Sequence, residues 1–404
     1  MTIIFLVDIF PSISETFILN QVTGMIDLGH EVFIFSASRS DEPNFHDDVR
    51  KYDLLKRTYF HNDIPSSKWK RFLWALFMVF SYGHRNPRAI LNALNFFKYG
   101  KEALSLTYLY KVMLFLGVNK ADVLYGHFGH NGNFAALMKE LGIAGKVVTM
   151  FHGYDIRRGI KNKDLYKPLF KYADAILSIS DYNYQHLVEF GAPVERIYNH
   201  PVGIHVGRYV SLPLKTPEQG EVIRILSVGR LVEEKGFGYA IDVIHQLVYE
   251  RGLTHIEYCI IGDGPLREEL QAKVKSLKLT DKVFFLGYQP QDGVEQSLAC
   301  AHLFLLSSVA EALPVVLMEA QASGLPVVAT RVGSVHQLVM DGVSGFIVAP
   351  EDVHGMCDKL EYLIRHPFQW KAMGQEGRRS IQEHYDVKAL NLKLDKIFKE
   401  IILK

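Results

Sequence analysis

Short apolar runs recur along this chain, each followed by a polar or glycine-bearing loop and then by a helical pattern. In the first half they fall at 3–7, 31–36, 123–125, 147–151 and 175–178. In the second half they fall at 223–228, 255–261, 283–286, 303–306, 327–329 and 346–348. Continuous rather than alternating apolar runs mark strands buried on both faces. Strand–helix alternation predicts parallel sheets covered by helices, an α/β class. Ligands of such sheets bind in the loops that follow the strands. At 404 residues the chain exceeds one ordinary core and suits two domains. Between the two series, residues 207–221 lose periodicity and gather Pro, Gly and Lys, which marks a linker between a domain at 1–206 and another at 222–380.

Composition excludes several classes. Lys and Arg number 45 against 44 Asp and Glu, so no overall field favours nucleic acid. The three cysteines, Cys259, Cys300 and Cys357, have neither zinc spacing nor a disulfide framework. Cys259 and Cys300 lie in apolar runs and read as buried thiols in a reducing, cytoplasmic compartment. The opening Met1-Thr-Ile-Ile-Phe-Leu-Val-Asp8 lacks a basic stretch and reads as a first strand, not a signal peptide. The apolar stretch 72–82 is shorter than the ~18 residues a spanning helix needs.

Residues 59–118 differ from the rest: basic residues outnumber acidic ones several-fold, among Trp69, Phe72, Trp74, Phe77 and Phe80. Basic and aromatic residues mixed on helices suit an anionic membrane surface. The plainer reading packs these helices on the first domain and leaves the charges solvated.

The chemistry-bearing residues follow strands. Glu311 lies in the loop after 303–306, and Glu319 lies two helical turns further on in apolar surroundings. The two carboxylates stand on the order of 10 Å apart, enough to hold two ends of one ligand. Gly229-Arg230, followed by Lys235-Gly236 ahead of a helix, brings together backbone N–H groups, a positive helix end and two cations, the makings of a phosphate site. Gly262-Asp-Gly264 is a near miss to G-x-G-x-x-G, because Arg267 replaces the last Gly. Gly287 ends a further strand and is a candidate wall for a base. His152-Gly-Tyr-Asp155 follows the strand at 147–151. Ser12 and Glu15 have capping-box spacing for a helix ending near Gly29. There is no D-x-D, so no metal or cofactor is expected.

Taken in order, His152-Gly-Tyr-Asp155, Gly229-Arg230, Lys235-Gly236, Gly262-Asp-Gly-Pro265, Glu311-x7-Glu319 and Ser323-Gly-Leu-Pro-Val-Val-Ala-Thr330 resemble glycosyltransferase family 4. Phe10-Pro-Ser-Ile-Ser-Glu-Thr-Phe17 and Ser178-Ile-Ser-Asp181 resemble its subgroup that builds bacterial exopolysaccharides such as colanic acid and amylovoran. The resemblance implies the GT-B fold, two Rossmann-like domains facing a cleft, with a C-terminal helix at 381–404 crossing back to the first. It implies retaining, metal-independent transfer of a hexose from a nucleotide diphosphate sugar, UDP-linked, to a lipid-linked glycan. That glycan would belong to exopolysaccharide, capsule or lipopolysaccharide synthesis, with the enzyme peripheral on the inner face of the cell membrane.

The resemblance also implies residue roles. Arg230 and Lys235 hold the diphosphate, Glu319 the ribose, and Glu311 and His152 the donor sugar. Gly229, Gly262, Gly264, Gly287, Ala312 and Leu313 line the donor, and Ser14, Glu15 and Asp155 lie on the acceptor side. Two rivals are a nucleotide-sugar epimerase of the same fold and a nucleotide-sugar-binding scaffold without catalysis.

Overall fold

The computed structural model describes residues 1–12, 15–40, 45–118, 121–209 and 220–404. They form two compact units: Met1–Pro201 with Asn391–Lys404, and Val202–Leu390. Each is built on one parallel sheet.

In the first unit the strands are β1 (Thr2–Phe10), β2 (Glu31–Arg39), β3 (Thr58–Phe60), β4 (Val123–His127), β5 (Lys146–Phe151), β6 (Ala175–Ser178) and β7 (Ile197–Asn199). Their order across the sheet is β3-β2-β1-β4-β5-β6-β7. Strand β1 runs from Ile3 to Val7 without an exposed side chain. It pairs with β2 on one side and β4 on the other, Phe5 opposite both Ile34 and Tyr125. That double burial is why its sequence is continuously apolar.

The second unit holds β8 (Ile223–Val228), β9 (Ile256–Ile261), β10 (Val283–Gly287), β11 (Leu303–Leu306), β12 (Val327–Thr330) and β13 (Gly345–Val348). Their order is β10-β9-β8-β11-β12-β13. Strand order therefore reverses between β1 and β4 in the first unit, and between β8 and β11 in the second. Where neighbouring strands send their connections to opposite faces, a crevice opens beyond their carboxyl ends.

Several sequence expectations are corrected. The short edge strands β3 and β7 carry too few residues to show a pattern. The first unit ends at Pro201, not 206; residues 202–209 belong to the second unit, where Ile204 bridges Asp386 and Tyr209 bonds Glu319. The expected linker at 207–221 falls mostly on 210–219, outside the described residues. The C-terminal helix does not begin at 381. One helix, Trp370–His384, stops at Tyr385, whose carbonyl accepts from Ile204 N, and a second, Val387–Leu403, follows. In the first unit, its Phe398 packs on Tyr125 and its Asp395 pairs with His30 at 2.9 Å. The first helix is Thr16–Asp27 with Glu15 as N-cap and no side-chain capping bond, so the Ser12/Glu15 capping box does not form. Cys300 is exposed and Cys259 only partly buried. Both sit in elements with one outward face.

Candidate active site

The second unit's switch point gathers the motif residues. The loops after β8, β9, β10 and β11 are bonded edge to edge. Gly229 N donates to Ile261 O at 2.9 Å, Leu231 N to Asp263 O at 2.9 Å, and Gly262 N to Gly287 O at 2.9 Å. Gly262 has φ +133°, and a Cβ there would run into the Gly229 carbonyl. Only glycine permits both that conformation and that approach. A Cβ on Gly264 would likewise run into the Leu231 backbone. Thus Gly229, Gly262, Gly264 and Gly287 form one backbone floor. Arg267 bonds Asp263 at 2.8 Å, and its guanidinium lies beside Gly287.

Lys235 ends a short turn, Glu233–Lys235, and Gly236 (φ +63°) then opens the helix Phe237–His245. A helix start presents free N–H groups and the positive end of its dipole. Lys235 Nζ donates to Glu311 Oε1 at 2.6 Å, and Ser308 Oγ donates to the same oxygen at 2.8 Å. Val309 N bonds Glu234 O at 2.9 Å, which ties the Glu311 loop to the Lys235 turn. Arg230 is exposed beside them and makes no ion pair among the described residues. Ala312 O accepts from Ser334 N at 3.0 Å. Leu313, expected to line the donor, has a buried side chain, at 7% exposure.

Glu319 lies on the helix Val315–Ala322. Its Oε1 accepts from Tyr209 OH and Gln291 Nε2, each at 3.1 Å, and these two bond each other at 2.8 Å. Burial raises the Glu319 pKa, against the opposing effect of those two bonds. Its second oxygen has no donor among the described residues. Tyr209 and Gln291 carried no sequence signal, since they stand 110 and 28 residues from Glu319.

The first unit's switch point holds a separate cluster. His152 caps β5 and is buried, its ring between Phe17 and Phe128, each 4.6 Å away by centroid. Its Nε2 lies 3.2 Å from His127 Nδ1. Burial lowers the His152 pKa to about 3 and holds His127 well below its ordinary value, so both are neutral. Asp155 is fully buried and accepts from His152 N at 2.8 Å and Gly129 N at 3.0 Å. Both oxygens are committed to the backbone, so it positions the His152 loop. Ser14 lies outside the described residues. Glu15 is partly buried at the start of the first helix.

Sequence reasoning missed a pair here. Asp8, at the end of β1, accepts from His130 Nε2 at 2.6 and 2.7 Å and from Asn131 Nδ2 at 3.1 Å. Burial pushes the Asp8 carboxyl up, but these partners outweigh it and hold the pKa below the usual range. Position at a strand end was the available signal.

Residues 213–380 match the family Glycosyl transferases group 1, and residues 14–208 match Glycosyltransferase Family 4. A protein of Salmonella typhimurium described as a putative colanic acid biosynthesis glycosyltransferase, WcaL, is 32% identical over 403 residues, covering 97% of this chain and 98% of its own. The chain belongs to glycosyltransferase family 4.

The amylovoran biosynthesis glycosyltransferase AmsK of Erwinia amylovora is 35% identical over 361 residues, 85% of each chain. Among solved structures, Anabaena Alr3699/HepE in complex with UDP superposes with a TM-score of 0.72, covering 99% of this chain and 100% of that one at 15% identity. The fold is therefore GT-B, with two Rossmann-like parallel-sheet units, and the chain is a glycosyltransferase. In this family member the crevice after β8 and β11 is the candidate donor site.

Proposed function

We propose that this glycosyltransferase moves a hexose from a UDP-sugar to a lipid-linked glycan with retention, in exopolysaccharide, capsule or lipopolysaccharide synthesis. The observation that carries the donor assignment is the convergence of Arg230, Lys235, Glu311 and a helix start on one glycine floor. Arg230 and Lys235 take the diphosphate, the free oxygen of Glu319 takes the ribose hydroxyls, and the Gly262–Gly287 floor lets the base lie close. Glu311 takes the sugar. The UDP complex of Alr3699/HepE and the names of the colanic acid and amylovoran relatives support this donor class and pathway type.

In the reaction, the bond from the sugar C1 to the diphosphate oxygen breaks while the acceptor hydroxyl attacks the same face. The acceptor's proton passes to the departing phosphate. Arg230 and Lys235 neutralise the charge that builds on the nucleotide, so catalysis is positioning plus electrostatic stabilisation, without a metal.

The acceptor assignment rests on the helix Lys68–Tyr82. Ala75, Met78, Val79 and Tyr82 pack toward the core at helical spacing, while Trp69, Phe72, Trp74, Phe77 and Phe80 are exposed, Phe80 at 83%. Among the described residues no helix is long and apolar enough to cross a membrane. An exposed apolar face beside Lys68 and Lys70 suits peripheral binding to anionic lipid on the inner face of the cell membrane.

Calorimetry with UDP, GDP, ADP and CMP tests the donor. Micromolar binding of UDP, lost in Arg230→Ala and Glu319→Ala, is expected; silence with every nucleotide would remove the transferase donor assignment. Replacing Trp69, Trp74 and Phe77 with Ser should release the protein from anionic vesicles. Undiminished vesicle binding would remove the membrane assignment.

A further inference from the structure

We infer that the first unit contains a slot for a single-chain amphiphile with an anionic head, the lipid end of the acceptor. The inference rests on the lipid-linked acceptor proposed above and adds where that lipid is held.

A hollow of about 260 Å³ opens behind the helix Lys68–Tyr82. Its walls are mostly apolar: Ile64, Pro65, Met78 and Leu114, with the rings of Trp74 and Tyr110. A second hollow, of about 250 Å³ and lined by Leu73, Trp74 and Phe77, shares Trp74 with it. Trp74 is half-exposed on the same helix face that carries Phe77 and Phe80. The apolar lining is thus continuous with the exposed face.

The other end of the slot is polar. His61 lines it, is 6% exposed, and neither ring nitrogen makes a hydrogen bond of good geometry among the described residues, although the neighbouring Asn62 side chain favours its charged form. A buried imidazole without a hydrogen bond is disfavoured unless something fills that place. Lys111 stands close by. The ring of His61 stacks on Phe134 with centroids 4.5 Å apart, and Lys111 Nζ lies 5.0 Å from the centre of the same Phe134 ring. Lys111 makes no ion pair among the described residues, whereas the acidic lining residue, Asp63, is already paired with Arg39 at 3.1 Å. That end therefore offers a buried imidazole to an anion, and Lys111 adds a positive charge nearby without lining the hollow.

Polarity fixes the direction of the ligand. A chain lies against Met78, Leu114 and Trp74, and a phosphate sits inward at His61. With the aromatic face on a membrane, Trp74, shared by the two hollows, carries the apolar lining to that face. A free saccharide lacks a chain for the apolar wall. An apolar helix of a partner would leave His61 and Lys111 unmet.

The test is calorimetric titration of the full chain with dodecyl phosphate below its micelle concentration, beside dodecyl maltoside and inorganic phosphate. Saturable one-to-one binding of dodecyl phosphate is expected, at least tenfold tighter than dodecyl maltoside. Met78→Trp, which fills the slot, should weaken it tenfold or more. His61→Phe and Lys111→Gln should weaken dodecyl phosphate several-fold and leave dodecyl maltoside unchanged, a readout that survives if Met78→Trp fails to fold. Equal binding of both detergents, unaffected by the variants, would mean adsorption on the exposed face and would overturn the slot. Inorganic phosphate binding as tightly as dodecyl phosphate would overturn it too, because no chain would then be held. UDP titration of the same samples separates the two readings: loss of UDP binding in the parent protein sinks the transferase donor site and leaves the slot result standing.

Discussion

Lys235 Nζ lies 2.6 Å from Glu311 Oε1, so two residues recognised as separate motif elements form one ion pair across the β8–β11 switch point. The pair is mostly buried, with Glu311 at 11% side-chain exposure. Removing the cation leaves the carboxylate facing the diphosphate, which is worse than removing both. We expect Lys235→Ala to reduce kcat/KM by about 10²-fold or more, on the scale of a lost charge-assisted hydrogen bond plus an unpaired buried charge. The double variant Lys235→Ala with Glu311→Gln should lose less than the sum of the two singles. Strictly additive losses would show that the pair is not coupled.

Glu319 makes a pH prediction. Its raised pKa means that the folded protein protonates it at higher pH than a free carboxyl. As pH falls through that raised value the ribose loses a charged acceptor, so UDP affinity should decline on the acid side. Glu319→Gln should bind UDP about tenfold more weakly at neutral pH, the loss of one charge-assisted bond, and show a flatter acid limb. An unchanged acid limb in Glu319→Gln would assign it to another group.

The glycine floor makes a folding prediction. Gly262→Ala places a methyl against the Gly229 carbonyl at φ +133°. The strain alone costs about 1–3 kcal/mol, and the clash adds to it. Gly252 has φ +70° with nothing within 4 Å of a Cβ, so Gly252→Ala should cost only about 1–2 kcal/mol of left-handed strain. Urea melts of the two variants should differ in that order, and only Gly262→Ala should lose UDP binding.

The donor loops were legible because each motif is local. Gly229, Lys235, Glu311 and Glu319 follow strands whose continuous burial is written in consecutive apolar residues. The partners that hold them were not legible. Tyr209 reaches Glu319 across 110 residues, and His130 reaches Asp8 across 122. No period or spacing encodes such contacts, because the sheet order creates them. The three-residue strands β3 and β7 stand at a sheet edge, where few residues need to be apolar.

The first unit should be acid-labile, and its histidines say by how much. Burial lowers His61 to about 4 and His152 and His200 to about 3, and it holds His127 well below its ordinary value. In the unfolded chain all four return to about 6.5. A depressed histidine pKa means the unfolded state binds the extra proton, so stability is present above 6.5 and lost as pH falls toward 4. Asp155 acts oppositely. Burial raises it to about 7 against its backbone hydrogen bonds, so the folded state takes up a proton first and gains stability as pH falls through that value. His61, His152 and His200 less one carboxyl leave about two protons favouring the unfolded state near pH 5, a slope of roughly 3 kcal/mol per pH unit, and His127 adds to it in the same direction. Urea midpoints should change little near pH 7.5 and fall increasingly steeply through pH 6 toward pH 5. His200→Phe, which removes a buried imidazole with no hydrogen-bond partner among the described residues, should flatten it by about one proton, roughly 1.4 kcal/mol per pH unit. A slope unchanged by His200→Phe would show that this histidine is protonated alike in both states.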